Sequence, residues 1–228
     1  MWGRGDEPLP NLVQLSEAHG VRVLSLPSGA DAVDAFSLWN DERPYVLLST
    51  AKSAERSRFD LAHELGHLVM HSRVAVGADP RALEREADEF ASALLMPREA
   101  LAAHAGREPA VPEILRLRSH YRVSAMAMTR RLHDIGRLTD WAYRQDCVHL
   151  AQRGFRSGEP GGMARERSRV FDVVFPALDR AGTVVDACRA LGITLRELHG
   201  LTLGQVAVAV DGIGQSALPA TPNLRLVT

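Results

Sequence analysis

Apolar residues along the first half of the chain repeat with two different periods. Residues 21–26 alternate and are rich in β-branched side chains, as are 33–39 and 45–49, and each run reads as a short strand. Turn-forming residues separate them: Pro27, Ser28 and Gly29, then the loop 40–44. The three strands predict a small sheet, antiparallel at the connection between the second and third. Before it, Leu12, Val13 and Leu15 mark a short helix over 9–19 that Gly20 would close.

The period then changes. Leu61, Leu65, Leu68 and Val69 fall on one face of a helix expected over 54–71, with Ser53 as its N-cap. Leu83, Ala87, Phe90, Ala91, Leu94 and Leu95 do the same for a helix over 81–97. A short helix over 98–104 and a loop over 106–112 follow. Two helices, 112–120 and 124–135, then form a helix-turn-helix-like hairpin with Ser124 as the second N-cap. Beyond residue 140 the pattern predicts helices over 164–181, 183–191 and 195–199, the last capped by Thr194. A glycine-rich loop over 153–162, a strand over 203–210 and a loosely ordered tail over 212–228 complete the reading. The fold class is therefore α+β. A domain over 1–140 carries the sheet and the hairpin 112–137, and a mainly helical module spans 141–228.

Composition narrows the setting more than the chemistry. A net charge of −1 exerts no global pull toward nucleic acid or membrane. Of the 27 basic residues only Lys52 is lysine, a bias that fits GC-rich coding and weakens any argument from arginine clusters. The arginines of the hairpin, Arg116, Arg118, Arg122, Arg130, Arg131 and Arg137, accordingly favour a helical pair completing the core over a DNA contact. Two distant cysteines, Cys147 and Cys188, suit a reducing cytoplasm. The first eight residues hold no apolar signal core, and no apolar run reaches the length of a membrane span.

Chemistry concentrates in the two central helices. His63 and His67 stand four apart, one turn along one side of a helix, with β-carbons about 5–6 Å apart. Two imidazoles so placed can share a Zn²⁺, and Glu64 beside them can take a proton from an attacking water. His71 continues the row, but helical drift carries it out of reach, so it reads as a helix-end residue. On the next helix Glu84 and Asp88 lie on or beside the apolar face, where an unpaired carboxylate is costly. Glu84 would complete a His₂Glu site with an open fourth position. Asp88 could accept the second N–H of a ligand histidine. Glu86 and Glu89 read as a solvated charged face. Tyr45, His120 and Tyr121 are candidate oxyanion donors by side-chain type, and Cys147 with His149 reads as structural.

Residues 58–67, Arg-Phe-Asp-Leu-Ala-His-Glu-Leu-Gly-His, with residues 84–97, Glu-Arg-Glu-Ala-Asp-Glu-Phe-Ala-Ser-Ala-Leu-Leu-Met-Pro, resemble the ImmA/IrrE family of metallopeptidases. The resemblance extends over about residues 8–138. It implies a cytoplasmic zinc endopeptidase with His63, His67 and Glu84 as ligands and Glu64 as general base. Asp88 takes the place of the acid behind a ligand histidine in related zinc peptidases. The resemblance also implies the substrate: a helix-turn-helix repressor or antitoxin of the Xre type, cleaved to relieve repression in a phage or stress-response setting. Some relatives carry an Xre-type DNA-binding domain ahead of the peptidase, and this chain starts about where that domain would end, which leaves two expectations open: a separately encoded partner or an upstream truncation. The competing reading is a DNA-binding regulator that acts through 112–137 and keeps only a structural or vestigial metal site.

Overall fold

A computed structural model describes residues 7–27, 30, 33–72, 78–180, 182–206, 208–209 and 224–225. Helix α1 (Leu12–Ala18) opens the chain, and the Asn11 side chain caps it by accepting from the Gln14 N–H at 3.0 Å. Strands β1 (Arg22–Ser25), β2 (Ala35–Asn40) and β3 (Arg43–Leu48) follow. The loop expected over 40–44 tightens to the pair Asp41 and Glu42, both with positive φ (47° and 60°). That handedness suits a two-residue hairpin.

The sheet order is β1-β3-β2. β2 and β3 pair antiparallel, as the hairpin requires, with Ala35 opposite Leu48 and Asn40 opposite Arg43. β1 and β3 pair parallel, Arg22 opposite Tyr45. The sheet is thus mixed, where the sequence pattern suggested only antiparallel pairing. The reason is topological: the chain leaves β1, makes β2 on the far side, and returns through the hairpin to insert β3 between them. β2 is left at the edge.

Helix α2 (Ala54–Met70) packs across the sheet, its N-terminus capped by Ser53 Oγ on the Arg56 N–H at 3.2 Å. Leu61, Ala62, Leu65 and Leu68 are buried, but Val69, in the last turn, is 62% exposed and does not belong to the apolar stripe. Helix α3 (Pro80–Leu95) starts with Asp79 as N-cap and a proline in its first turn. Ala87, Ala91 and Leu95 line its inner face. Helices α4 (Arg98–His104), α5 (Val111–Tyr121), α6 (Ala125–Asp134) and α7 (Asp140–Gln152) continue the α region. One apolar core runs from Leu12 and Val13 through Val23, Val46, Leu61 and Leu95 to Ile114, Met128 and Leu132.

Helices α8 (Arg169–Arg180), α9 (Val184–Leu191) and α10 (Leu195–Leu201) share a small cluster of their own around Val184, Cys188, Leu198 and Val206. The helix expected from residue 164 begins only at Arg169, because 162–168 has no regular secondary structure and is occupied elsewhere. The Met163 N–H donates to Glu55 Oε1 at 2.6 Å, and Arg165 donates to Ser57 Oγ at 2.6 Å. Arg118 of α5 donates to the Glu159 carboxylate at 3.2 Å and to the Pro160 carbonyl at 2.7 Å. Residues 159–168 therefore form a strap across the N-terminal half of α2, and helical geometry resumes only after them. The strand expected over 203–210 shrinks to β4 (Val208–Ala209), paired with β5 (Leu224–Arg225). Leu203, at φ 56°, has left-handed backbone incompatible with a strand. The rest of the expected loose tail, 212–223 and 226–228, lies outside the described residues. Among the described residues no helix is long and apolar enough to cross a membrane.

Candidate metal centre

Two helices must approach closely to build this site, and Gly66 sets the distance. A β-carbon on Gly66 would lie 3.1 Å from Phe90 Cδ1 and 3.3 Å from Ala87 Cα. The absence of a side chain lets α3 pack against α2 with Glu84 facing the two histidines. His63 Nε2 and His67 Nε2 are 3.0 Å apart. Glu84 closes the triangle, with Oε2 at 3.2 Å from His63 Nε2 and Oε1 at 3.4 Å from His67 Nε2. Donors held tetrahedrally at about 2.0–2.1 Å from one Zn²⁺ would be about 3.3 Å from each other. His63, His67 and Glu84 are the group of possible metal ligands found among the described residues.

The hydrogen bonds behind the histidines agree with that geometry. His63 Nδ1 is 2.8 Å from Asp88 Oδ1. A carboxylate only accepts, so His63 donates from Nδ1 and turns Nε2 toward His67 and Glu84. His67 is held below the ordinary histidine pKa, first by burial and then by the neighbouring His63, which favours its neutral form. A carboxylate and two ring nitrogens facing one another at these distances fit a shared cation.

Glu64 is 8% exposed and points to the same cleft. Ser37 Oγ, from the edge strand β2, donates to Glu64 Oε2 at 2.6 Å. The cleft has a volume of about 730 Å³ and runs between β2 and the two helices, lined by Phe36, Leu38 and Trp39 opposite His63, His67 and Glu84. These three β2 side chains are 38–49% exposed.

Glu84 and Asp88, expected on or beside the buried face of their helix, are not themselves buried. Both side chains are 63% exposed, at the rim of the open cleft. The helix buries Ala87 and Ala91 instead, and the carboxylates meet the histidines across the gap. His71 and Glu86 also differ from their expected bystander roles. His71 Nδ1 is 2.9 Å from His67 Nδ1, and His71 Nε2 is 3.0 Å from Glu86 Oε2. The histidine row at i, i+4 and i+8 carried that signal. Ser37 had none, since only the fold brings β2 over Glu64.

None of the candidate oxyanion donors lines the cleft. Tyr45 bonds Arg22 across the sheet, Tyr121 is fully buried with its hydroxyl 3.0 Å from His104 Nδ1, and His120 packs edge-on to Tyr121. Most arginines of the α5–α6 pair turn inward or to local partners. Arg118 grips the strap, Arg131 donates to the Met96 carbonyl, Arg137 to that of Ala102, and Arg130 pairs with Asp134. Cys147 and Cys188 are both free thiols.

A family model described as Peptidase_M78, IrrE N-terminal-like domain, matches residues 16–133, just over half of the 228 residues. The match runs from the last turn of α1 into α6 and so includes every residue of the centre described above. No curated protein matches the sequence.

Proposed function

The chain belongs to the Peptidase_M78 family of IrrE N-terminal-like domains, the metallopeptidase family its two motifs resemble, and from that premise we propose a zinc-dependent endopeptidase that cleaves a helix-turn-helix repressor or antitoxin in the cytoplasm. The observation that carries the proposal is the convergence of His63, His67 and Glu84 at 3.0–3.4 Å beside the carboxylate of Glu64. A His₂-carboxylate donor set with one side open to a cleft suits Zn²⁺ in a hydrolytic role.

When bound, the metal supplies Lewis-acid polarisation and lowers the pKa of water at the site. The remaining steps belong to the chain. Glu64 takes the proton of the attacking water and passes it to the leaving amine as the peptide C–N bond breaks. Ser37 holds Glu64 Oε2 through a 2.6 Å hydrogen bond. The free edge of β2 can receive an extended peptide by main-chain hydrogen bonds, with Phe36, Leu38 and Trp39 offering apolar contacts. A substrate segment therefore has to be extended or locally unfolded to be cut. The repressor class follows from the family resemblance. The alternative, a DNA-binding regulator acting through α5 and α6, finds less support, because Arg118, Arg131 and Arg137 are engaged within the chain.

The test is cleavage of Xre-type repressors encoded beside the gene, with fragments identified by mass spectrometry. Wild-type protein with zinc should yield one or a few discrete cuts, and Glu64→Gln none. Equal cleavage by Glu64→Gln would exclude the proposed mechanism.

A further inference from the structure

The two ligand histidines are held from behind in different ways. His63 leans on a carboxylate directly, through Asp88. Among the described residues no carboxylate lies within reach of His67 Nδ1. Its Nδ1 meets another ring nitrogen, His71 Nδ1 at 2.9 Å, and His71 in turn meets Glu86 Oε2 at 3.0 Å. Glu86 lies two residues beyond Glu84 and two before Asp88, so α3 contributes a carboxylate at three alternate positions to three histidines of α2.

We propose that His71 and Glu86 form a relay that fixes the orientation and tautomer of His67, and thereby the metal affinity of the centre. The inference rests on the metal-site reading above and assigns positioning roles to two residues outside the ligand set. The direction of each bond follows from what the groups can do. Glu86 offers only acceptor oxygens, so His71 donates from Nε2. In the relay His71 Nδ1 then accepts the N–H of His67 Nδ1. His67 is left with its lone pair on Nε2, the atom 3.0 Å from His63 Nε2. A ring turned the other way would present an N–H to the cation and could not bind it.

Burial supports a specific role for the middle member. The His71 side chain is 8% exposed although it is the C-cap residue of α2, where the chain end is usually solvated. Glu86 is 57% exposed, so removing its carboxylate leaves no buried cavity. That contrast makes the relay separable from the fold.

The experiment is competition for zinc against a calibrated chelator, using the full chain as wild type, His71→Leu, His71→Gln, Glu86→Ala and Asp88→Ala. Metal-free melting temperatures are recorded in parallel. Groups behind a ligand histidine typically control affinity by about 10–100-fold. His71→Leu and Glu86→Ala should weaken zinc binding within that range, as should Asp88→Ala on the other side, with metal-free melting of Glu86→Ala unchanged. His71→Gln should recover much of the loss. Its amide oxygen can accept from His67 and its NH₂ can donate to Glu86, which leucine cannot do. Cobalt-substituted Glu86→Ala should also show altered visible absorption, a change that mere loss of packing would not cause. Zinc affinity unchanged in both His71→Leu and Glu86→Ala, with wild type binding tightly, would overturn the relay while leaving the metal site standing. A wild-type chain that binds no zinc would overturn both.

Discussion

Glu166 is the most informative residue to replace away from the metal. It lies on the strap, its side chain 7% exposed, and forms an ion pair with Arg58, whose side chain is fully buried. The same carboxylate accepts the Leu12 N–H at the start of α1 at 2.9 Å. Arg58 also donates to the carbonyls of Leu9 and Pro10, each at 2.7 Å. Burial lowers the Arg58 pKa and Glu166 opposes that shift, so the carboxylate is what makes the buried charge tolerable.

Glu166→Gln keeps the shape and an acceptor for Leu12 but removes the charge. Breaking a buried pair from one side costs about 3–5 kcal/mol, because the guanidinium stays behind. For a chain of this size that is a fall of about 6–20 °C in melting temperature. Arg58→Met should cost a similar amount, so independent effects would sum to about 6–10 kcal/mol. In the double variant Arg58→Met/Glu166→Gln no charge is left buried. Its remaining loss is the pairing of the Leu9 and Pro10 carbonyls, about 1 kcal/mol each. Equilibrium urea unfolding of the four proteins measures the cycle. The expected coupling is about 3 kcal/mol or more. Strictly additive losses, or a Glu166→Gln loss below about 1 kcal/mol, would refute the role assigned to the strap.

Glu159, on the same strap, has its pKa pushed up to about 7 by burial, with the Ala125 N–H and Arg118 opposing and Glu55 adding to the rise. Its folded pKa lies above the unfolded value, so its contribution is present below about pH 4.5 and is lost as pH rises through about 7. A rise from 4.5 to about 7 is worth on the order of 3 kcal/mol. Glu159→Gln should flatten the stability profile across that window relative to wild type, and parallel profiles would contradict the assignment. Gly66→Ala gains up to about 1 kcal/mol of helix propensity but overpacks against Phe90 and Ala87 at about 1–3 kcal/mol. A modest stability loss with clearly weaker zinc binding is expected, and unchanged binding would mean that Gly66 does not set the α2–α3 spacing. Ser37→Ala removes the 2.6 Å bond to Glu64 and should lower kcat about tenfold with KM little changed. An effect on KM alone would place Ser37 in substrate binding.

Local chemistry made the heart of the site legible before any coordinates. His63, Glu64 and His67 share a helix, so periodicity alone puts them together. Glu84 and Asp88 could be assigned to them through the second motif, although the reason first given, burial, is not the one observed. What escaped depended on long-range packing. Ser37 reaches Glu64 only because β3 inserts between β1 and β2 and leaves β2 at the edge beside the cleft. Residues 164–168 have helical-looking composition, yet Met163, Arg165 and Glu166 are held out of a helix by partners on α1 and α2 more than a hundred residues earlier. The parallel pairing of β1 was likewise invisible to an alternating pattern, which reports faces and not neighbours. Helix α7 drew no helix assignment for a related reason: only Leu150 is buried in it, so its apolar periodicity is faint.

The central claim is that His63, His67 and Glu84 together hold a catalytic zinc. Metal content of the purified chain, measured for wild type, Glu64→Gln and Glu84→Ala, tests it most directly. One zinc per chain is predicted for wild type and Glu64→Gln, and near-zero occupancy after dialysis for Glu84→Ala. Full zinc occupancy in Glu84→Ala, or none in the wild type, would contradict it.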